Sequence, residues 1–346
     1  MDIIARRRLL FKVIYYILTS TARNGGVHFY GLSQIHALSK IDDVIVFGAI
    51  DKNILPERVN VRKRSQFLWR ILKQKPSYVF SNTYCLEGIL GRYVSWVPTV
   101  HDLQEFGIVG EKLSIGRRQK WLRFCAYNLC RYFASAILVE CRKTRDDLVE
   151  YIKVPNEKIC VIPCPAFQTI SEPGCIAPSH NPRDVVTFFY PAKAWPHKNH
   201  NNLIEALDTI ENENWRLLLT DIPEDVANRL QKNSRLSKNI HIHRDIDTSS
   251  LLRIYKSVDY LILPSLFESI SIPIYEASHF GCGIIATDLP GICEQTGLKH
   301  LSLGDASVPS IKKTINLVLG ERKRLGVVDA GPTITSYSVA LSKEIF

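Results

Sequence analysis

No stretch of this sequence stays apolar long enough to cross a bilayer. The longest apolar run near the start, Leu9 to Leu18, is interrupted by Lys12 and covers about half of the ~20 residues that a spanning helix needs. Arg6, Arg7 and Arg8 precede it like the basic flank of a secretory signal, yet no small-residue cleavage site follows. The segment Lys12 to Leu18 is rich in β-formers and reads as a first buried strand. The nine cysteines are odd in number and include no Cys-x-x-Cys pair, and Cys160 and Cys164 flank a proline-containing loop with no histidine nearby. The pattern argues for reduced thiols in a cytoplasmic protein rather than a disulfide framework or a zinc site. Internal repeats, low-complexity tracts and the extended basic tail of a nucleic-acid binder are also missing, so no nucleic-acid partner is expected.

What is present suits a two-domain globular protein. At 346 residues and 39.4 kDa the chain exceeds the size of one ordinary core. Its 46% hydrophobic and 23% charged content is that of a folded globular protein. The 44 basic against 34 acidic residues give a net charge of +10, which favours anionic partners such as nucleoside diphosphates or an anionic lipid surface. Short apolar runs alternate with helix-length amphipathic segments throughout, the pattern of parallel sheets covered by helices. Strands are expected at Lys12 to Leu18, Val44 to Phe47, Tyr78 to Ser81, Val97 to Val100, Ala136 to Val139 and Cys160 to Ile162. The prolines and polar residues between Pro163 and Pro182 mark a linker. Beyond it the alternation resumes with strands at Val185 to Tyr190, Arg216 to Thr220, Ile240 to His243, Tyr260 to Leu263 and Gly283 to Ala286.

The richest segment runs from Leu261 to Pro290. An apolar strand ends at Pro264, a loop carries Glu268, Pro273 stands where a first helical residue would, and Glu276 follows one turn later. Two carboxylates thus sit at the carboxyl end of a parallel strand, where open α/β sheets bind ligands. The loop amides of Ser269, Ile270, Ser271 and Ile272, backed by the positive end of the helix, suit a phosphate or sugar hydroxyls. Glu276 suits the vicinal hydroxyls of a ribose. Taken alone, an early helical glutamate would merely complement its helix dipole. A second segment, Tyr190 to Ala206, carries Lys193 and Lys198 on the loop after a strand, where both can neutralise a diphosphate or remain solvated surface lysines. His197 and His200 lack a third ligand, so no metal is expected.

In this order and separation the two segments resemble the retaining glycosyltransferases of family 4, also called group 1, in particular bacterial members that assemble surface polysaccharides. The family's Glu-Gly-Phe-Gly-x-Pro-x-x-Glu-Ala block is answered by Glu268-Ser-Ile-Ser-Ile-Pro273-Ile-Tyr-Glu276-Ala277, with Gly281 and Pro290 also fitting. The family's basic pair matches Lys193 and Lys198. The likeness extends to Val100-His101-Asp102-Leu103, to Val154 through Pro163, and to Gly25-Gly26. It departs at Ser269 and Ser271, where the family has glycines.

The resemblance implies the GT-B architecture, two Rossmann-like doubly wound domains facing a central cleft. The expected boundaries are an N-terminal acceptor-side domain over 1–165, a linker over 166–184, a nucleotide-sugar domain over 185–335, and a helix over 336–346 crossing back to the first domain. By resemblance Glu276 binds the ribose, Lys193 and Lys198 the diphosphate, Glu268 the transferred sugar near the reacting centre, and His101 that sugar from the other side. Gly26 would approach a phosphate. No metal or other cofactor is implied, because lysines and helix-end amides meet the charge on the departing phosphate. The expected donor is a nucleotide sugar, with mannosyl or rhamnosyl transfer suggested by the Pro-His-Lys-Asn wording. The acceptor is a glycan or lipid-linked oligosaccharide, as in O-antigen assembly, reached from the cytoplasmic face of an anionic membrane through clusters such as Arg117 to Phe124. A phosphorylase would need a cofactor-lysine motif that is absent, and an epimerase pattern lacks the paired glutamates. The remaining alternative is a catalytically silent protein that keeps the nucleotide-sugar pocket or serves as a membrane-surface scaffold.

Overall fold

The computed structural model describes residues 13–19, 26–74, 76–104, 106, 116–163, 185–321, 326, 328 and 331–346. The Arg6 to Arg8 cluster, Gly25, the linker over 166–184 and Arg322 to Arg324 lie outside the described residues. The chain divides into two compact units, one built from the N-terminal half together with Pro332–Phe346, the other from the segment between them.

The first unit runs β1 (Ile14–Ile17), α1 (Gly26–Ser39), β2 (Val44–Phe47), β3 (Val59–Arg62), α2 (Phe67–Gln74), β4 (Tyr78–Ser81), β5 (Ser95–Pro98), α3 (Arg117–Phe133), β6 (Ile137–Val139), α4 (Arg142–Asp147) and β7 (Ile159–Val161). Its sheet is parallel in the order β3-β2-β1-β4-β5. A bridge from Thr99 to Leu138 leads on to the parallel pair β6-β7. Successive side chains of a strand point to opposite faces, and here both faces are buried. Tyr15 and Ile17 join Phe47, Phe67 and Trp96 on one side, while Ile14 and Tyr16 join Val44, Val46 and Phe80 on the other. The second face is covered by α1 and by the last helix, α12 (Ile334–Glu344). Thr333 and Ser336 cap that helix reciprocally. Its Ile334, Tyr337 and Leu341 are buried, and the Tyr337 hydroxyl lies 3.2 Å from that of Tyr30 and accepts from Gln34 Nε2 at 3.0 Å.

The second unit runs β8 (Val186–Tyr190), α5 (His200–Asp208), β9 (Trp215–Leu219), α6 (Glu224–Lys232), α7 (Ser234–Asn239), β10 (Ile240–Ile242), α8 (Thr248–Ser257), β11 (Tyr260–Leu263), α9 (Ile272–His279), β12 (Gly283–Ala286), α10 (Pro290–Thr296), β13 (Leu301–Ser302) and α11 (Val308–Glu321). All pairings are parallel, in the order β10-β9-β8-β11-β12-β13. This is the doubly wound 3-2-1-4-5-6 order, whose winding reverses between β8 and β11 and opens a crevice at their carboxyl ends. Proline in the first turn starts both α9 and α10, and Gly297, left-handed at φ 58°, ends α10.

Eleven of the strands were expected from the sequence, with ends differing by a residue or two. Two others, β3 and β13, were not. In β3 only Val59 is fully buried and Asn60 and Arg62 are exposed, as suits a strand at the sheet edge, and β13 is two residues long. Neither leaves an apolar run. Among the described residues no helix is long and apolar enough to cross a membrane, and the described cysteines are free thiols.

Candidate functional site

The crevice of the second unit gathers most of the residues singled out by sequence. The loop after β8 carries Lys193, exposed, and a short 3-10 turn, Pro196–Lys198. Asp221, at the end of β9, accepts from the Ala194 amide at 3.2 Å and steadies that loop. The turn closes on Asn199, whose left-handed backbone (φ 58°) lets α5 start at once. Asn199 Nδ2 donates to the carbonyls of Pro264 and Ala306, each at 3.0 Å, and the Leu266 amide donates to the His197 carbonyl at 2.7 Å. These bonds stitch the loop after β8 to the loop after β11.

Lys198 and Glu268 meet there as an ion pair with side chains only 18% and 11% exposed. The Ser265 hydroxyl donates to the same Glu268 oxygen at 2.9 Å, and the buried Tyr190 hydroxyl donates to the Lys198 carbonyl at 2.6 Å. His200, its ring tilted against Tyr190 at 4.9 Å, is pushed down to about 4 by burial and stays neutral. Burial also lowers His197, with Lys198 adding to the effect.

Ser269, Ile270, Ser271 and Ile272 lie between Glu268 and Pro273 at the start of α9. Gln295 of α10 holds this loop from below: its Oε1 accepts from the Ser271 amide at 2.9 Å and its Nε2 donates to the Ser271 carbonyl at 2.8 Å. Of the four amides expected to face a ligand, that of Ser271 is therefore committed to Gln295. Gly291 permits the close approach, since a Cβ at that position would sit 1.7 Å from the Ser269 carbonyl oxygen. Glu276, further along α9, is 2% exposed. Tyr255 donates to its Oε2 at 2.8 Å, while its Oε1 has no hydrogen-bond partner. Burial raises this carboxyl to about 7, against the opposing effect of the Tyr255 bond.

His101 and Gly26 belong to the first unit. Gly26 is exposed as the first residue of α1, and residues 20–25 before it lie outside the described residues. His101 follows β5, edge-on to Tyr30 at 4.7 Å, with Nδ1 2.8 Å from Glu140 Oε2 and Nε2 2.7 Å from the Asn82 carbonyl. Both partners are acceptors, so both ring nitrogens donate. Burial opposes the charge, but Glu140 and the Asn82 carbonyl outweigh it and the imidazole is raised above its usual value. Several of these groups carried no sequence signal. Ser265, Tyr255, Gln295, Asn82 and Glu140 are ordinary residues in ordinary elements, and only Gly291, beside the expected Pro290, stood close to the recognised block.

Comparison with known proteins gives a family match over part of the chain and structural neighbours over most of it. Residues 176–325 match the family model of the glycosyl transferases group 1, a segment that includes Lys193, Lys198, Glu268 and Glu276. A search of curated proteins found no match to the sequence. Among solved structures, Anabaena HepE in complex with UDP-glucose is similar at TM-score 0.70 and 16% identity, covering 95% of this chain and 94% of that one. Sucrose-phosphate synthase from Thermosynechococcus elongatus gives TM-score 0.70 at 16% identity over 96% and 94%. The lipopolysaccharide outer core galactosyltransferase WaaB, in its apo form, gives 0.66 at 15% over 96% and 99%. The chain therefore has the α/β fold of GT-B glycosyltransferases along nearly its whole length, and the group 1 segment falls in the unit that holds both glutamates.

Proposed function

We propose that this protein is a retaining glycosyltransferase that moves a hexosyl or deoxyhexosyl unit from a nucleoside diphosphate sugar to a glycan or lipid-linked acceptor in surface-polysaccharide assembly. The observation that carries the reading is the pair of glutamates around the start of α9: Glu268 held by Lys198, and Glu276 buried with one oxygen unpartnered. A buried carboxylate oxygen without a donor costs about 1–3 kcal/mol, and a ribose hydroxyl is the donor it lacks. The group 1 match over 176–325 supports the same assignment.

In the reaction the bond from the anomeric carbon to the β-phosphate oxygen breaks, and the acceptor hydroxyl oxygen bonds to that carbon on the same face. The acceptor proton passes to the departing phosphate. Lys198 and the exposed Lys193 offset the charge growing on that phosphate, so the positive charge comes from side chains and not from a metal. Glu268 contacts the sugar, with Lys198 and Ser265 fixing its rotamer. In the first unit Glu140 and the Asn82 carbonyl sustain the positive charge of His101.

The acceptor side is read from an amphipathic surface on the first unit. On α3, Trp121 is 63% and Leu122 51% exposed, beside exposed Arg117 and Arg118. Leu68, Trp69 and Leu72 of α2 and Leu86, Ile89 and Tyr93 add to the exposed apolar groups, with Lys73 lying 4.3 Å over the Trp69 ring. Cations among interfacial aromatics suit an anionic leaflet, which supports a position on the inner face of the membrane in the cytoplasm.

The test is release of nucleoside diphosphate from UDP-glucose, UDP-galactose, GDP-mannose and dTDP-rhamnose, with and without a lipid-linked acceptor. Transfer from one donor with the anomeric configuration kept, and lost in Glu268→Ala, is the expected result. Binding without turnover across the panel leaves the silent nucleotide-sugar-binding protein instead. Sedimentation with anionic vesicles, abolished in a Trp121→Glu, Leu122→Glu variant, checks the membrane assignment, and equal sedimentation of wild type and variant refutes it.

A further inference from the structure

A second polar cluster has no part in the reaction above. Asp288 follows β12, Cys293 lies within α10, and His300 stands just before β13. One carboxylate oxygen, the thiol sulfur and one imidazole nitrogen of these residues all lie within 4.8 Å of one another. His300 is buried, whereas Asp288 is exposed, so the cluster opens on solvent.

The hydrogen bonds decide which atoms of the cluster are available. His300 Nδ1 is 2.7 Å from Thr296 Oγ1, and that hydroxyl donates to the Ile292 carbonyl at 2.9 Å. A hydroxyl has one proton to give. Thr296 therefore accepts from His300, and the ring carries its proton on Nδ1. His300 Nε2 then presents its lone pair to Asp288 Oδ1, 3.0 Å away. The other Asp288 oxygen is already occupied by the Ser302 hydroxyl. Two acceptors at that distance need positive charge between them, either a second ring proton or a cation. The Cys293 sulfur, within 4.8 Å of the other two ligand atoms, is superfluous to a simple ion pair and fitting for a metal.

We infer that Asp288, Cys293 and His300 form a three-ligand site for a divalent transition metal of the zinc class. A nitrogen, a sulfur and an oxygen ligand together suit a borderline-soft ion and not magnesium or calcium, whose sites are built of oxygen. The Cys293 thiol releases its proton to solvent on binding and ligates as thiolate. Thr296 and Ser302 orient the imidazole and the carboxylate from outside the ligand sphere. Solvent supplies the fourth ligand on the open side. The ion ties α10 to the ends of β12 and β13, and α10 carries the Gly291 and Gln295 on which the Glu268 to Ser271 loop rests. The inference is independent of sugar transfer.

The test is cobalt titration of the full-length protein after removal of bound metal. One equivalent should produce a thiolate-to-cobalt charge-transfer band in the near ultraviolet, displaced by zinc. The band should vanish in Cys293→Ser, and Thr296→Val should weaken cobalt binding by about 10–100-fold, the usual cost of losing an orienting partner. Asp288→Asn, at an exposed position, supplies a second ligand variant should Cys293→Ser fold poorly, and should also bind cobalt more weakly. Absence of the band, or a band of full intensity in Cys293→Ser arising from another of the nine cysteines, overturns the assignment and leaves an imidazolium–carboxylate pair.

Discussion

Replacing Glu276 by glutamine tests the ribose assignment through two opposite pH dependences. In the folded protein burial holds this carboxyl at about 7, whereas its ordinary value is 4.5. The folded state therefore keeps a proton that the unfolded chain has already lost across that interval. The associated stability is fully present below pH 4.5 and disappears as pH rises through 7. At about 1.4 kcal/mol per pH unit the ionised carboxylate costs the fold about 3 kcal/mol at pH 8. Nucleotide-sugar binding should run the other way. Ribose hydroxyls donate best to the ionised carboxylate, so affinity should rise with pH and level off above 7, with a loss of about a hundredfold between pH 8 and pH 5.

Unfolding in urea and calorimetric titration with a nucleotide sugar, each followed from pH 5 to pH 8, measure the two slopes. The sugar nucleotide is preferable to the free diphosphate because its phosphates do not titrate in that range. Glu276→Gln keeps the side-chain shape and removes the charge. It should flatten both curves, raise stability at pH 8, and weaken binding there by roughly tenfold or more through loss of charge-assisted bonds. Stability curves that stay parallel for wild type and variant refute the buried-carboxyl argument. Binding curves that stay parallel refute the ribose contact.

Lys198→Ala strips the partner from Glu268, whose side chain is only 11% exposed, so it should lower stability in urea as well as turnover, the latter by about 10²–10³-fold, as removal of one stabilising donor does elsewhere; the initial rate of diphosphate release measures it. Gly291→Ala drives a methyl into the Ser269 carbonyl and should cost about 1–3 kcal/mol together with donor affinity, read by urea unfolding and by calorimetry. Gln295→Ala frees both Ser271 backbone groups and should weaken donor binding with a smaller stability loss than Gly291→Ala.

Much of this architecture was legible in the sequence because a parallel strand buried on both faces must be an unbroken apolar run. Val44–Phe47, Tyr260–Leu263 and Gly283–Ala286 are such runs, and the structure has strands over those same residues. Edge strands escape that logic, as β3 does, because half their side chains meet water. The glutamates were singled out by their spacing around Pro264 and Pro273, and the lysines by their place on the loop after the strand ending at Tyr190. Their supports were not. Gln295 reaches Ser271 across 24 residues and Tyr255 reaches Glu276 across 21, so their roles follow from how α8 and α10 pack beside α9. The Asp288, Cys293 and His300 group was missed for a related reason: an aspartate after a strand, a helical cysteine and a histidine beyond that helix have no motif spacing, and only the turn ending at Gly297 brings them together.

The two units also explain why the proposed ligand chemistry concentrates in the second. Each winds its first five strands in the order 3-2-1-4-5, so each has a crevice between its first and fourth strands. In the first unit the residue leaving the fourth strand is Asn82. Its Oδ1 accepts from the Thr19 amide at 2.9 Å and hydroxyl at 3.0 Å, its Nδ2 donates to the Val27 carbonyl at 3.3 Å, and its own carbonyl accepts from His101. A ligand entering there would strand buried groups at about 1–3 kcal/mol each. In the second unit the fourth strand gives way to Pro264 and Ser265, and the crevice is held by a lysine and a glutamate that a charged, hydroxylated ligand can engage without leaving either unpaired. Asn82→Ala should accordingly destabilise the protein by about 1–3 kcal/mol in urea while nucleotide affinity stays unchanged. Loss of nucleotide binding without loss of stability would show that the first crevice, too, is a ligand site.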